Sequence, residues 1–148
     1  MTEARTTGRV PVCAEVTVGE KLPAKTIHVD RARLVQYAGA SLDRNRIHWD
    51  ERFAKSVGLP DVIAHGMFTM GSAVTVVSDW AGDAGRIVEY GVRFTKPVVV
   101  SYEEGADIEV SALVKAVDTE ERRATVELTA KSGGQKVLGK ALAVVQLD

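Results

Sequence analysis

The sequence predicts an α+β domain in which one antiparallel sheet wraps a long helix, and three observations predict it. The segment Gly66 to Trp80, "GMFTMGSAVTVVSDW", is apolar or small nearly all round, which in a globular chain marks a helix enclosed on most sides. Downstream, Ile108, Val110, Ala112, Val114 and Ala116 alternate with Asp107, Glu109, Ser111, Leu113 and Lys115. Ala124, Val126, Leu128 and Ala130 alternate likewise with Thr125, Glu127, Thr129 and Lys131, the two-residue period of half-buried strands. The turn "SGGQ", Ser132 to Gln135, is short enough to make its flanking strands antiparallel neighbours.

The elements follow in order. Residues 1–12, "MTEARTTGRVPV", mix acid and base without an apolar run and read as a loose tail before a domain over 13–148. An opening turn leads to a short strand at Lys25 to Val29. Asp30 suits the N-cap of a helix "RARLVQYAGA", where Leu34, Val35 and Ala38 recur at helical spacing; Gly39 and Ser41 end it. A polar loop follows, then a short helix over about Glu51 to Val57, broken by Gly58 and Pro60. After the Gly66 helix, "RIVEYGVRFTKPV" forms a strand that stops at Pro97. The last strand, "KVLGKALAVVQL", is apolar on both faces in part, which predicts burial against a partner and hence a dimer. A sheet with one apolar face curled round one buried helix is the hot-dog arrangement.

With 148 residues the chain suits one domain with a sizeable core, and 45% apolar with 26% charged residues is ordinary for a soluble globular protein. A net charge of -1 argues against a nucleic-acid face or recruitment to anionic lipid. The apolar run from Gly66 to Ala81 is interrupted by Thr, Ser and Asp and falls short of the roughly 20 residues of a membrane span. One cysteine, Cys13, with no Cys/His cluster, fits a reducing cytoplasm. The chain has no GxGxxG or Walker loop, no Gly-x-Ser-x-Gly elbow and no HExxH spacing, so neither a cofactor nor a metal is implied.

Chemistry concentrates in "YAGASLDRNRIHWDERFA", Tyr37 to Ala54. Taken singly, Asp43 and Asn45 read as turn residues that hydrogen-bond nearby backbone, and His48 as a polar residue before a helix. His65 reads as the start of the next helix. Together they carry more: Asp43 and His48 are too far apart for one helical face, yet a folded loop converges both on one water, and a neutral imidazole beside a carboxylate is an acid/base pair near neutral pH. Gly66 opens the apolar helix, so its N–H leaves the positive helix end with no side chain in the way, a site for a developing oxyanion.

The same loop resembles the signature of the MaoC-like (R)-specific enoyl hydratases, in which an aromatic is followed by Asp-x-Asn-Pro, an aliphatic, His, five residues and Ala or Ser. The match falls on Tyr37, Asp43, Asn45, Ile47, His48 and Ala54, and "IAHGMFTMG" and "EYGVRFTKPV" resemble the family's helix start and following strand. Within the family, "RIHWDE", "VGLPDVIAHGMFTMG" and "VEYGVRFT" are most similar to the catalytic B subunit of the heterodimeric (3R)-hydroxyacyl-ACP dehydratases of mycolate-type synthesis.

The resemblance implies interconversion of trans-2-enoyl and (3R)-3-hydroxyacyl thioesters of CoA or acyl carrier protein, without a cofactor. It implies Asp43 and His48 as the catalytic pair, Asn45 as loop support, Gly66 with His65 at the oxyanion and substrate, and a homodimer or a heterodimer with a second hot-dog subunit. A non-catalytic hot-dog subunit is the alternative. Two positions depart from the signature: Arg46 replaces the proline, free to pair with Asp43, to meet a carrier phosphate or to face solvent, and Leu42 replaces a frequent glycine where it resists a positive φ. Met67, Met70, Gly71, Ser72 and Ala73 are either plain core or the lining of an acyl tunnel, and Arg93 or Lys96 is either solvated or near a pantetheine arm.

Overall fold

Strand alternation carries through to the sheet of this computed structural model, which describes residues 9–148. Residues 1–8 of the expected tail lie outside the described residues; Pro11 is buried, and the Asp148 N–H donates to its carbonyl at 3.2 Å. The strands are β1 (Lys21–Val29), β2 (Ile87–Phe94), β3 (Ala106–Asp118), β4 (Arg123–Ser132) and β5 (Gln135–Gln146), and they form one five-stranded sheet in the order β1-β3-β4-β5-β2, antiparallel throughout. The Ser132 to Gln135 turn joins β4 to β5 as expected, with Gly133 at φ 56° and Gly134 at φ 76°, the positive values that a two-residue primed turn demands.

The alternation holds with one correction. Ile108, Val110, Ala112 and Val114 are buried, but Ala116 is exposed, because the register of β3 against β4 slips between Val114 and Ala116 and hands the inner face to half-buried Val117. β1 starts at Lys21 rather than Lys25; its register slips between Leu22 and Lys25, where Pro23 has no N–H for a ladder, and β1 is an edge strand that tolerates this.

Helix α1 (Arg31–Ser41) is capped as expected, Asp30 accepting the Arg33 N–H at 2.7 Å. Leu34 and Ala38 are buried, whereas Val35, about a quarter turn round the helix from that face, is 60% exposed. The short α2 (Glu51–Ser56) is capped by Asp50. The apolar segment is two helices, α3 (Gly66–Ala73) and α4 (Thr75–Ala81), meeting at Val74. Thr75 Oγ1 bonds back to the Ser72 carbonyl at 2.7 Å, a side-chain bond that competes with the helix ladder where the axis bends.

The core lies between this bent helix and the inner sheet face, with Ala73, Val76, Val77, Trp80 and Ala81 against strand residues such as Ile108, Val114, Val126 and Ala143. Enclosure all round is not realised in the single chain: Met67 is 61% exposed and Gly71 is exposed. The edge opposite β1 is β2, which pairs with β5 alone and leaves Val88 and Phe94 about half exposed, at 50% and 51%. Among the described residues no helix is long and apolar enough to cross a membrane.

Candidate active site

The loop between α1 and α2 is built by its own short side chains. Helix α1 ends in Leu42 at φ 63°, ψ 6°, a left-handed cap that a leucine adopts here despite its Cβ, so the expected resistance to positive φ is overcome rather than avoided. Ser41 Oγ donates to the Tyr37 carbonyl at 2.7 Å and accepts the Asp43 N–H at 3.2 Å. Asp43 Oδ1 then accepts the Asn45 N–H, and Asn45 Oδ1 the Ile47 N–H, both at 3.2 Å. These are the turn roles those residue types predict. They leave Asp43 Oδ2 without a hydrogen bond from the described residues.

A single 3-10 turn, Arg46–His48, delivers His48 to the interior, where it is 7% exposed. Its Nδ1 lies 2.7 Å from the Ile63 carbonyl, and the Ile63 N–H donates to the Ile47 carbonyl at 3.1 Å, so the loop and residue 63 are tied by two bonds. A carbonyl only accepts; Nδ1 therefore carries the proton and the neutral ring keeps its lone pair on Nε2. Burial holds the His48 pKa below its ordinary value; the Ile63 hydrogen bond opposes this, nearby His65 adds to it, and Asp43 opposes it.

The Ile63 strut is itself braced. The Ala64 N–H donates to the Val98 carbonyl and the Val100 N–H to the Val62 carbonyl, both at 2.9 Å. Arg31 Nε donates to the Val100 carbonyl at 2.9 Å, and its NH2 group to Asp61 at 2.6 Å, with Glu51 at 3.4 Å. One half-buried guanidinium thereby joins α1, α2 and the segment leading to α3, all of which bear on His48.

His48 lines a cleft of ≈ 250 Å³ together with Gly66, Thr69, Phe94, Lys96 and Val98. Gly66 is exposed at the first position of α3, where the N–H groups have no intrahelical acceptor. A Cβ on Gly66 would stand 3.0 Å from the Phe94 ring, so glycine keeps the ring close over this helix end. His65 is not on the cleft wall. It is 2% exposed behind His48, stacked on that ring at 3.7 Å between centroids and tilted 23°, with Nε2 2.9 Å from the Asp43 carbonyl. A carboxylate oxygen of Asp43 and one ring nitrogen each of His48 and His65 lie within 4.8 Å of one another.

That spacing alone admits an ion, but the stacking does not favour one. Imidazole binds a metal such as zinc in its ring plane at about 2.0–2.1 Å, and two nearly parallel rings one above the other share no in-plane point at that range.

Of the expected residues, Asp43, His48, His65 and Gly66 converge, and Asn45 caps the turn between the first two. Of the three roles open to it in the sequence Arg46 takes the solvent-facing one: it is exposed, pairs with Asp50, 2.7 Å away and four residues on, and lies over the Phe53 ring at 4.5 Å. Of the helix residues proposed for a tunnel none lines this cleft; Thr69 does, one turn after Gly66 and readable as the polar residue inside an apolar run. Of the two cations named with them, Lys96 lines it and Arg93 does not. The Ile63 carbonyl and the Phe94 ring carry no signal in the sequence, because a main-chain acceptor looks alike at every residue and Phe94 belongs to an ordinary strand pattern.

Comparison with known proteins identifies the family and the fold. The family model "MaoC like domain" matches residues 14–132. A 3-hydroxyacyl-thioester dehydratase X of Mycobacterium tuberculosis is 40% identical over 78 residues, 53% of this chain and 27% of the relative. An (R)-specific enoyl-CoA hydratase of Rhodospirillum rubrum is 30% identical over 124 residues, 82% of each chain. Among solved structures, one described as a MaoC-like dehydratase superposes with a TM-score of 0.92 at 45% identity, covering 97% of this chain and 44% of that one. The chain thus spans about a quarter of the length of the first of these relatives, 27%.

Proposed function

The chain belongs to the MaoC-like domain family, and on that premise we propose that it is a hydro-lyase that adds water to trans-2-enoyl thioesters and removes it from (3R)-3-hydroxyacyl thioesters. The observation that carries this reading is the bare Nε2 of His48 at the cleft, with an Asp43 carboxylate oxygen within 4.8 Å of a ring nitrogen of His48 and of one of His65. In the hydration direction a water held by Asp43 and His48 gives up a proton as its oxygen bonds to C3 of the enoyl chain. The π electrons shift toward the thioester oxygen, and C2 then takes a proton. The Gly66 N–H meets the charge on that oxygen, a contact worth about 2.7–4 kcal/mol of barrier in comparable oxyanion sites. Water is the only co-reactant, so the equation balances without a cofactor.

The substrate is a thioester of CoA or of an acyl carrier protein, its arm leaving past Lys96 at the cleft mouth. A second hot-dog module covers the β2 edge: that strand offers unpaired main-chain groups beside exposed Val88 and Phe94, and Phe94 already stands on the cleft. The test is the loss of enoyl-thioester absorbance with short and long trans-2-enoyl-CoA, beside Asp43→Asn and His48→Ala. Activity in the natural chain and losses of about 10²–10⁴ in each variant are expected of an acid/base pair; equal rates in all three chains refute the assignment.

A further inference from the structure

His65 is an odd choice for a core position. It is 2% exposed, and its Nδ1 is the buried side-chain atom among the described residues with no hydrogen-bond partner. A leucine or phenylalanine would fill the space without leaving an acceptor dry, so a polar ring kept there at a cost needs another explanation. Its contacts supply one. Nε2 faces the Asp43 carbonyl at 2.9 Å, which fixes its proton on Nε2 and makes it a donor to the main chain of the acid. One face of the ring stacks on His48 at 3.7 Å, and Tyr37 packs against it at 4.7 Å between centroids, itself edge-on to Phe68 at 5.5 Å. The ring is therefore wedged between Tyr37 of α1 and His48 of the loop turn.

We propose that His65 is a positioning residue that sets the reacting pair: it holds Asp43 through the main chain and His48 through the ring face, and never touches substrate. This rests on the hydration reading for its effect on rate, though not for its effect on His48. The stack also has an electrostatic side. The groups facing His48 are the Asp43 carboxylate from the α1–α2 loop, the Ile63 carbonyl behind it, Lys96 from across the cleft and His65 beneath. Of these, His65 opposes the protonated ring, so it helps keep His48 a neutral base.

Two variants separate the tether from the ring. His65→Gln keeps an N–H within reach of the Asp43 carbonyl but removes the imidazole; His65→Leu removes both and also the dry acceptor, so it folds without the buried polar cost. Fold is checked by circular dichroism and thermal unfolding. The primary readout is the imidazole ¹⁵N spectrum against pH, assigned with His48→Ala, which needs no activity. Expected are an Nδ1–H tautomer for His48 in the natural chain, a His48 midpoint that moves up in both variants, and a lower limb of kcat/KM that moves up with it. In His65→Leu, kcat falls about 10²-fold, the cost of a misplacement near 1 Å, while KM changes less than about twofold; His65→Gln lies between. An unchanged His48 midpoint in both folded variants overturns the inference. So does a kcat in His65→Leu equal to that of the natural chain. If the natural chain shows no hydration at all, the functional reading falls, and the ¹⁵N titration still decides the role of His65.

Discussion

Leu42→Gly tests whether the loop between α1 and α2 stores strain. Leu42 sits at φ 63°, ψ 6° with its side chain 71% exposed, so deleting that side chain removes almost no burial. A left-handed non-glycine residue costs roughly 1–2 kcal/mol, and glycine returns about 0.5–1 kcal/mol through the entropy of the unfolded chain. The balance is a gain of about 0.5–1 kcal/mol. For a chain of this size that raises Tm by roughly 1–4 °C. Differential scanning calorimetry reads the shift, and the enoyl-thioester assay run beside it reads whether Asp43, the next residue, keeps its place through the bonds that tie it to Ser41 and Asn45. The expected result is a higher Tm with kcat/KM within about twofold. A lower Tm refutes the strain reasoning, since it means that leucine stabilises this cap; a higher Tm with activity lost refutes the claim that the side-chain bonds alone hold Asp43.

Arg31→Ala removes the brace shared by α1, α2 and the Ile63 segment and strands the Val100 carbonyl and Asp61; urea unfolding is expected to show a loss of about 1–3 kcal/mol. Arg46→Ala breaks only a surface pair four residues apart, so urea unfolding is expected to show little change, and it leaves kcat unchanged, because the guanidinium lies on Asp50 and not on Asp43. Gly105→Ala combines φ +69° with a Cβ driven into the Val29 carbonyl, and expression with thermal melts is expected to show a loss beyond about 2 kcal/mol or no folded protein. For His48 the folded pKa lies below the unfolded one, so its contribution to stability is present above the unfolded value of about 6.5 and is lost as pH falls through the folded value; denaturation against pH reads that slope, which His48→Gln removes.

Much of this was legible in the chain. Asp30 at the N-cap, the glycine pair at 133–134 and the alternating strands are local signals: each depends on a side chain acting within a few residues of itself, so the sequence by itself determined the order of strands and helices and the glycine that opens α3, but not the break at Val74 that makes two helices of the apolar run. The loop residues Asp43, Asn45 and His48 were readable as a group because their spacing keeps them on one short turn. Only the tertiary structure decided which partner each found. Arg46 had three acceptable destinations and took the solvent-facing one, where the helix start brought the Asp50 carboxylate within one turn of it. Val35 and Ala116 obeyed the apolar period yet face outward, since a helix turn and a register slip set direction by packing and not by composition. His65 is the sharpest case: as a letter it announces a helix start, and only burial, stacking on His48 and a bond to a carbonyl 22 residues earlier reveal what it holds. Contacts at that separation depend on how the chain closes on itself, a property of the folded whole that no single segment carries.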